Sequence, residues 1–385
     1  MFYLWMTLIA VLYSWTLKAD QCAICLANFH NRNEEPVVVK TGCCGQLFDL
    51  DCVSRCFVDQ PIGSRRCAMC RQNPMPLMNQ NTSESHPDTF FPDQTFYIAC
   101  SNGDLEQVER SLAEGVNVNA VMTNGFTALM LASCYGQMNV VERLINAGAD
   151  VNIARNEDGT TPLLIAALLG NTGCLKILIE AGANPNTPRT TDGATPLFIA
   201  AYEGNTGCLK ILIQAEADLN AWNKNGATPL YTAALENNID CVKLLINAGV
   251  DLNAARAKDG ATPLSSTALM GNTDCVKALI NAGADLNARG KNGTTPLFLA
   301  AYENNIDCLQ LLITAGADLN AALPNGITPL FIAALKGNTD CVETLINAGA
   351  DLNAARTSDG ATPLSIATRK DNTDCVKALI KAGAK

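Results

Sequence analysis

The chain has 385 residues, enough for two or three compact domains or for a repeat array of any length. Its 27 Lys and Arg against 37 Asp and Glu leave a net charge of −10, the wrong sign for a surface that grips nucleic acid. With 48% hydrophobic but only 5% aromatic residues, the chain can bury a core, and that core is aliphatic and built from small side chains.

Residues 1–17, MFYLWMTLIAVLYSWTL, carry no charge. At 1.5 Å per residue they span ~25 Å, short of the ~30 Å of a bilayer core. The expectation for 1–19 is a signal peptide, with Leu17 and Ala19 as a small-residue cleavage site before Asp20; the missing basic n-region keeps an uncleaved membrane anchor open. Membrane contact is expected only through this segment.

Eight cysteines follow at positions 22, 25, 43, 44, 52, 56, 67 and 70. Cys22/Cys25 and Cys67/Cys70 are C-x-x-C pairs that bracket a central group. Each pair supplies two thiolates suited to one tetrahedral zinc ion, and about fifty residues bury too little apolar area to fold without such help. Metal binding would then be folding free energy. A disulfide knot in a secreted domain is the competing reading.

In spacing and neighbours, CAICLANF, CCGQLFDLDCVSRCF and RRCAMCRQ resemble a RING finger, the ubiquitin-ligase module with two cross-braced zinc ions, over residues 20–72. The resemblance puts Cys22, Cys25, Cys44, Cys52, Cys67 and Cys70 on six of eight ligand positions, with Gln46 and Asp49 where the family has histidine or cysteine; His30 lies outside the pattern. Asp49 with Cys22, Cys25 and Cys52 makes a first site, since a carboxylate is an acceptable zinc ligand. The second, with Cys44, Cys67 and Cys70, needs Cys43 or Cys56 as a fourth donor. The family's contacts to a ubiquitin-conjugating enzyme fall on Ile24, Phe57 and Arg71; no covalent intermediate forms on the module, and its usual proline is replaced by Ala68. A cation such as Arg71, hydrogen-bonded to ubiquitin and its carrier, would favour the reactive thioester conformer.

Reduced thiolates belong to a reducing cytosol, which conflicts with export. Either the protein is exported into a host cytosol, or the segment anchors a membrane ligase whose zinc module faces the cytosol. Residues 73–92 hold Pro74, Pro76, Pro87 and Pro92 among Asn, Ser and Thr and read as a linker.

From Asp93 onward the chain repeats. Gly125, Gly159, Gly193, Gly226, Gly260, Gly293, Gly326 and Gly360 recur at intervals of 33 or 34 residues, a solenoid period. In the unit from Asp259 to Arg289, Thr262 caps a helix that opens on Pro263, and Gly271 ends it. Asn272 caps a second helix, whose Cys275, Val276, Leu279 and Ile280 keep helical spacing until Gly283 stops it in a left-handed cap. The segment that follows runs out into a hairpin-like finger.

T-P-L, A-A before the break and A-G-A-D-L-N resemble the ankyrin repeat, over 93–385 and about nine units. The resemblance implies an all-α ankyrin-repeat solenoid behind the small zinc-stabilised domain. Met130, Leu164, Phe198, Tyr231, Ser265, Phe298, Phe331 and Ser365 stand where the family has a histidine, so that residue's cross-repeat hydrogen bonds are absent.

One cysteine per unit, among them Cys174, Cys208, Cys241, Cys275, Cys308, Cys341 and Cys375, falls on the buried side of the second helix, where it packs as a small apolar residue. The ends of the first helices read Cys134, Leu168, Tyr202, Leu235, Leu269, Tyr302, Leu335 and Arg369, an apolar stripe expected to take a protein substrate on the concave face, with Trp222 on a finger as an aromatic anchor. Peripheral packing over neighbouring helices is the alternative for that stripe.

Residues 18–75 hold seven basic and six acidic side chains and 76–90 two acidic ones, so nine of the ten net negative charges fall on the repeats and favour a basic or apolar client. No phosphate loop, dinucleotide motif or nucleophile triad is present. Two functions follow: a RING-type ubiquitin ligase whose array binds its substrate, or a non-enzymatic scaffold with a degenerate structural zinc finger.

Overall fold

The computed structural model describes residues 94–385 except Thr123, together with Met75 and the short strands β1 (Val38–Thr41), β2 (Leu47–Asp49), β3 (Leu77–Asn79) and β4 (Ser85–His86). The strands form one antiparallel sheet in the order β2-β1-β3-β4, with Val39 opposite Phe48 on one side and Asn79 on the other. Two of them lie within the segment read as a linker.

Among the described residues the rest is helical: α1 (Gln94–Asn102), α2 (Leu105–Ala113), α3 (Ala128–Cys134), α4 (Met138–Asn146), α5 (Pro162–Leu169), α6 (Thr172–Glu180), α7 (Pro196–Tyr202), α8 (Thr206–Gln214), α9 (Pro229–Leu235), α10 (Ile239–Asn247), α11 (Pro263–Met270), α12 (Thr273–Asn281), α13 (Pro296–Glu303), α14 (Ile306–Thr314), α15 (Pro329–Lys336), α16 (Thr339–Asn347), α17 (Pro363–Arg369) and α18 (Thr373–Lys381). None of these is long and apolar enough to cross a membrane. The chain divides into two compact units, one comprising residues up to 166 with 173–184, the other 167–172 with 185–385.

In the second unit each odd-numbered helix from α7 opens the same way. Thr195, Thr228, Thr262, Thr295, Thr328 and Thr362 accept the N–H three residues on at 3.2–3.3 Å, and proline fills the first helical position. Where the third residue is Ser265 or Ser365 its hydroxyl accepts the threonine's own N–H at 2.8 Å, closing a capping box.

From α7 on, each odd-numbered helix packs against its successor and against its own even-numbered partner. Paired alanines make the close approach possible: Ala200, Ala201, Ala233, Ala234, Ala300, Ala301, Ala333 and Ala334 are fully buried. Even-numbered helices turn inward Cys208, Leu209 and Leu212 and their counterparts, such as Cys275, Val276 and Leu279.

From α8 on, the asparagine before each even-numbered helix makes no side-chain cap bond, contrary to the reading of Asn272. Its amide instead donates backwards to carbonyls at the end of the odd-numbered helix of the preceding repeat. Asn272 reaches Ala234 and Leu235 at 2.9 and 3.1 Å, and Asn205, Asn238, Asn305, Asn338 and Asn372 each make the same double contact at 2.7–3.2 Å. Close approach here requires glycine at Gly204, where a Cβ would stand 2.8 Å from the Asn238 Oδ1.

A second ladder joins the fingers. The side chains of Asn186, Asn220, Asn253, Asn287 and Asn320 accept the backbone N–H of Asp218, Asp251, Asp285, Asp318 and Asp351 in the next unit at 2.8–3.1 Å. These two ladders join neighbouring repeats along the array.

Candidate partner-binding surface

The asparagine amides hold the ends of the odd-numbered helices in register, so the residues at those ends form a row. In the second unit it runs Leu168-Leu169, Tyr202-Glu203, Leu235-Glu236, Leu269-Met270, Tyr302-Glu303 and Leu335-Lys336. Its exposure is uneven. Leu168 is 38% exposed, Leu169 50%, Tyr202 48% and Met270 55%, whereas Leu235, Leu269, Tyr302 and Leu335 are half-buried. The stripe read from the sequence is therefore part peripheral core and part open apolar surface. Tyr302 is covered from one side by the Lys336 ammonium, 4.0 Å from its ring centre.

Trp222 stands on its finger, half-exposed at 50%. In the first unit Cys134 is half-buried, and at the far end of the array Arg369 is exposed and pairs with Asp359 at 3.5 Å.

Cysteines of the even-numbered helices are buried and unbridged, as expected, but they are not purely apolar filler. Where the preceding unit reads Gly-Asn-Thr, the threonine hydroxyl meets the thiol: Thr206 with Cys241, Thr273 with Cys308 and Thr339 with Cys375, at 3.4–3.8 Å. Where it reads Asn-Asn-Ile, the hydroxyl is gone and the thiol donates to the left-handed asparagine instead, Cys275 to Asn237 and Cys341 to Asn304, both at 3.4 Å. Burial pushes the Cys275 and Cys341 thiols up to about 11, with the neighbouring carboxylates of Asp274 and Asp340 adding to it. Such thiols are protonated and chemically inert at neutral pH.

Sequence reading missed an arginine device at the fingers. Arg189, Arg256 and Arg356 each clamp the aspartate three residues on through Nε and Nη2, as in the 3.0 and 2.6 Å contacts of Arg189 with Asp192. Two of them also lie over an aromatic ring of the preceding unit at the position of the missing histidine, Arg256 on Tyr231 at 5.0 Å and Arg356 on Phe331 at 5.5 Å. The recurring R-x-x-D-G was the available signal.

The family profile described as ankyrin repeats in three copies matches residues 96–189, 186–256, 252–322 and 319–385. The chain is an ankyrin repeat protein. It is similar to YahD, an ankyrin repeat protein of Escherichia coli strain K12, with 44% identity over 57 residues, covering 15% of this chain and 28% of that protein. An ankyrin repeat-containing protein of Schizosaccharomyces pombe is 36% identical over 63 residues, covering 16% of this chain and 30% of its own. The chain thus spans under a third of either curated relative.

For this ankyrin repeat protein the residues expected at the zinc sites and at a conjugating enzyme lie outside the described residues: Cys22, Cys25, Cys43, Cys44, Cys52, Cys56, Cys67, Cys70, Ile24, Phe57 and Arg71. Asp49 is described only as the end of β2, paired with Val38. Residues 1–19 likewise fall outside.

Proposed function

We propose that this ankyrin repeat protein is a non-enzymatic interaction scaffold that holds a protein partner along the helix-end row of its second unit. The observation that carries this reading is the exposed apolar pair Leu168 and Leu169 with Tyr202 and Met270 further along the same row, because apolar side chains left exposed along one row of a folded protein mark contact with another molecule. Repeats generally present such surfaces for protein partners, and nothing in the unit resembles a reaction centre. Crosslinking in cells with the full chain and with a Leu168→Ser, Leu169→Ser, Tyr202→Ser, Met270→Ser variant tests it. A partner captured by the parent and lost from a variant of unchanged thermal stability supports the reading; equal capture by both rejects it.

The paired C-x-x-C motifs support a second reading, in which the scaffold recruits ubiquitin machinery through residues 20–72. The donor set fits one tetrahedral ion through Cys22, Cys25, Asp49 and Cys52; Gln46 is a poor donor, so the second ion rests on Cys43 or Cys56 joining Cys44, Cys67 and Cys70. Bound zinc would supply folding energy there, and Ile24, Phe57 and Arg71 would face the conjugating enzyme. Metal analysis of purified protein, with an autoubiquitylation assay on Ile24→Ala and Arg71→Ala, decides it: zinc together with conjugation lost in both variants supports a ligase, and metal-free protein without conjugation removes it.

A further inference from the structure

Glu203, Glu236 and Glu303 stand at the C-terminal ends of α7, α9 and α13, where the helix dipole is negative and a carboxylate is disfavoured. Elsewhere in the second unit that position holds Leu169, Met270, Lys336 or Lys370, and lysine is what the dipole favours. All three carboxylates are exposed, and none enters an ion pair among the described residues. A charge placed against its local electrostatics, beside exposed Leu169 and Met270, has no stabilising role in the array, and such departures from local rules mark functional positions.

The asparagine amides fix the spacing of the row. Neighbouring packed helices lie ~8–10 Å apart, and a polyproline-II chain advances ~9 Å in each turn of three residues. Every third residue of an extended segment therefore meets one repeat. Against Glu203, Glu236, Met270 and Glu303 in succession, the complementary sequence carries a cation, a cation, an apolar residue and a cation at three-residue intervals. A helical ligand returns to the same face only after seven residues, about 10.5 Å, and overruns the ~8–10 Å spacing a little more at each repeat.

We infer that the row binds an extended, basic segment of its partner, with lysine or arginine at every third position and one apolar residue facing Met270. This inference rests on the scaffold reading and names the chemistry of its ligand. The probe is a fluorescein-labelled, proline-rich peptide with lysine at its first, fourth and tenth positions and leucine at its seventh, titrated into the full chain by fluorescence anisotropy.

The parent binds, and raising salt from about 50 mM to about 500 mM weakens binding several-fold. Glu203→Gln, Glu236→Gln and Glu303→Gln together weaken it about tenfold, while the thermal midpoint stays the same or rises as the dipole conflict is relieved, a combination that a structural role would not give. Placing glutamate at the three lysine positions abolishes binding, and shifting each lysine by one position weakens it at least about threefold. No binding to the parent chain, or unchanged affinity in the triple variant, overturns the inference. A partner captured in cells through Leu168, Leu169, Tyr202 and Met270, but indifferent to the three glutamines, leaves the scaffold standing and removes the basic segment.

Discussion

The first two repeats and those from Pro196 onward build the same helix pair by different means. Helix α2 is capped by Asp104, which accepts the Gln107 N–H at 3.0 Å, and α3 opens on Ala128 without proline. Gln137 stands where later repeats have asparagine and reaches one carbonyl, Ser101 O at 2.9 Å, where the asparagines reach two. Contacts of their own bind the early repeats: the Tyr97 hydroxyl donates to Ala120 O at 2.9 Å, and Arg143 pairs with Glu109 at 2.6 Å. The requirement shared by both regions is that helix-end carbonyls be satisfied across the repeat boundary; the side chain that does so is negotiable. The regular ladders of the later repeats give many equal, additive interfaces, as expected of a one-dimensional array.

Deleting core volume should have the largest effect, and the same one in both regions. Phe331 is fully buried beneath Arg356, and Phe96 is fully buried edge-on to Tyr97 with ring centres 5.7 Å apart. Phe331→Ala and Phe96→Ala should each cost about 3–5 kcal/mol in chemical denaturation; a loss under about 1 kcal/mol at Phe96 would show that the early repeats are loosely packed. Next comes the boundary amide. Asn338→Ala strands two carbonyls and should cost about 2–3 kcal/mol, against about 1 for Gln137→Ala, and equal losses would erase the contrast between one contact and two. Smaller again is the cap: Thr328→Ala, which removes the acceptor of the Phe331 N–H, should cost about 1 kcal/mol, and the exposed Asp104→Ala about half that, read as shifts in thermal midpoint.

Much of the array is legible in its sequence because local chemistry repeats with it. The 33 or 34 residue period, the Thr-Pro helix starts and the left-handed Gly283 follow from backbone preference alone, and the burial of Cys275 and Cys341 follows from helical spacing. What escaped depends on neighbours a full repeat away. An asparagine before a helix looks like a cap, and only packing shows Asn272 reaching back to Ala234. The exchange of Thr273 for Asn304 as a cysteine's partner is a correlated change, visible in the alternation of Gly-Asn-Thr with Asn-Asn-Ile once the fold joins them. Among the helix ends, pattern could not tell exposed Tyr202 from half-buried Tyr302, because Lys336 of the next repeat decides the difference. Prolines hid β3 and β4 by suggesting a linker where strands form between them.

The smallest expected effect lies in the acid limb of stability, and it sets the arginine clamps against the early ion pair. Hydrogen bonds from Arg189, Arg256 and Arg356 hold the carboxyls of Asp192, Asp259 and Asp359 below the usual carboxylate range, and the bond from Arg143 does the same for Glu109. A carboxyl more acidic in the folded than in the unfolded chain contributes stability that is complete above its unfolded pKa, near ~3.9 for aspartate, and is lost as pH falls towards the lower folded value. Stability should therefore be level from neutral pH down to about 5 and fall below about 4. Asp192→Asn, Asp259→Asn and Asp359→Asn together should flatten that fall by lowering the neutral plateau towards the acid value. Glu109→Gln should flatten it less, because one surface pair is replaced there and no aromatic ring backs the arginine. Thermal midpoints measured from pH 3 to pH 7 check both variants; an acid limb as steep in the triple variant as in the parent would show that the clamps order the fingers without stabilising them.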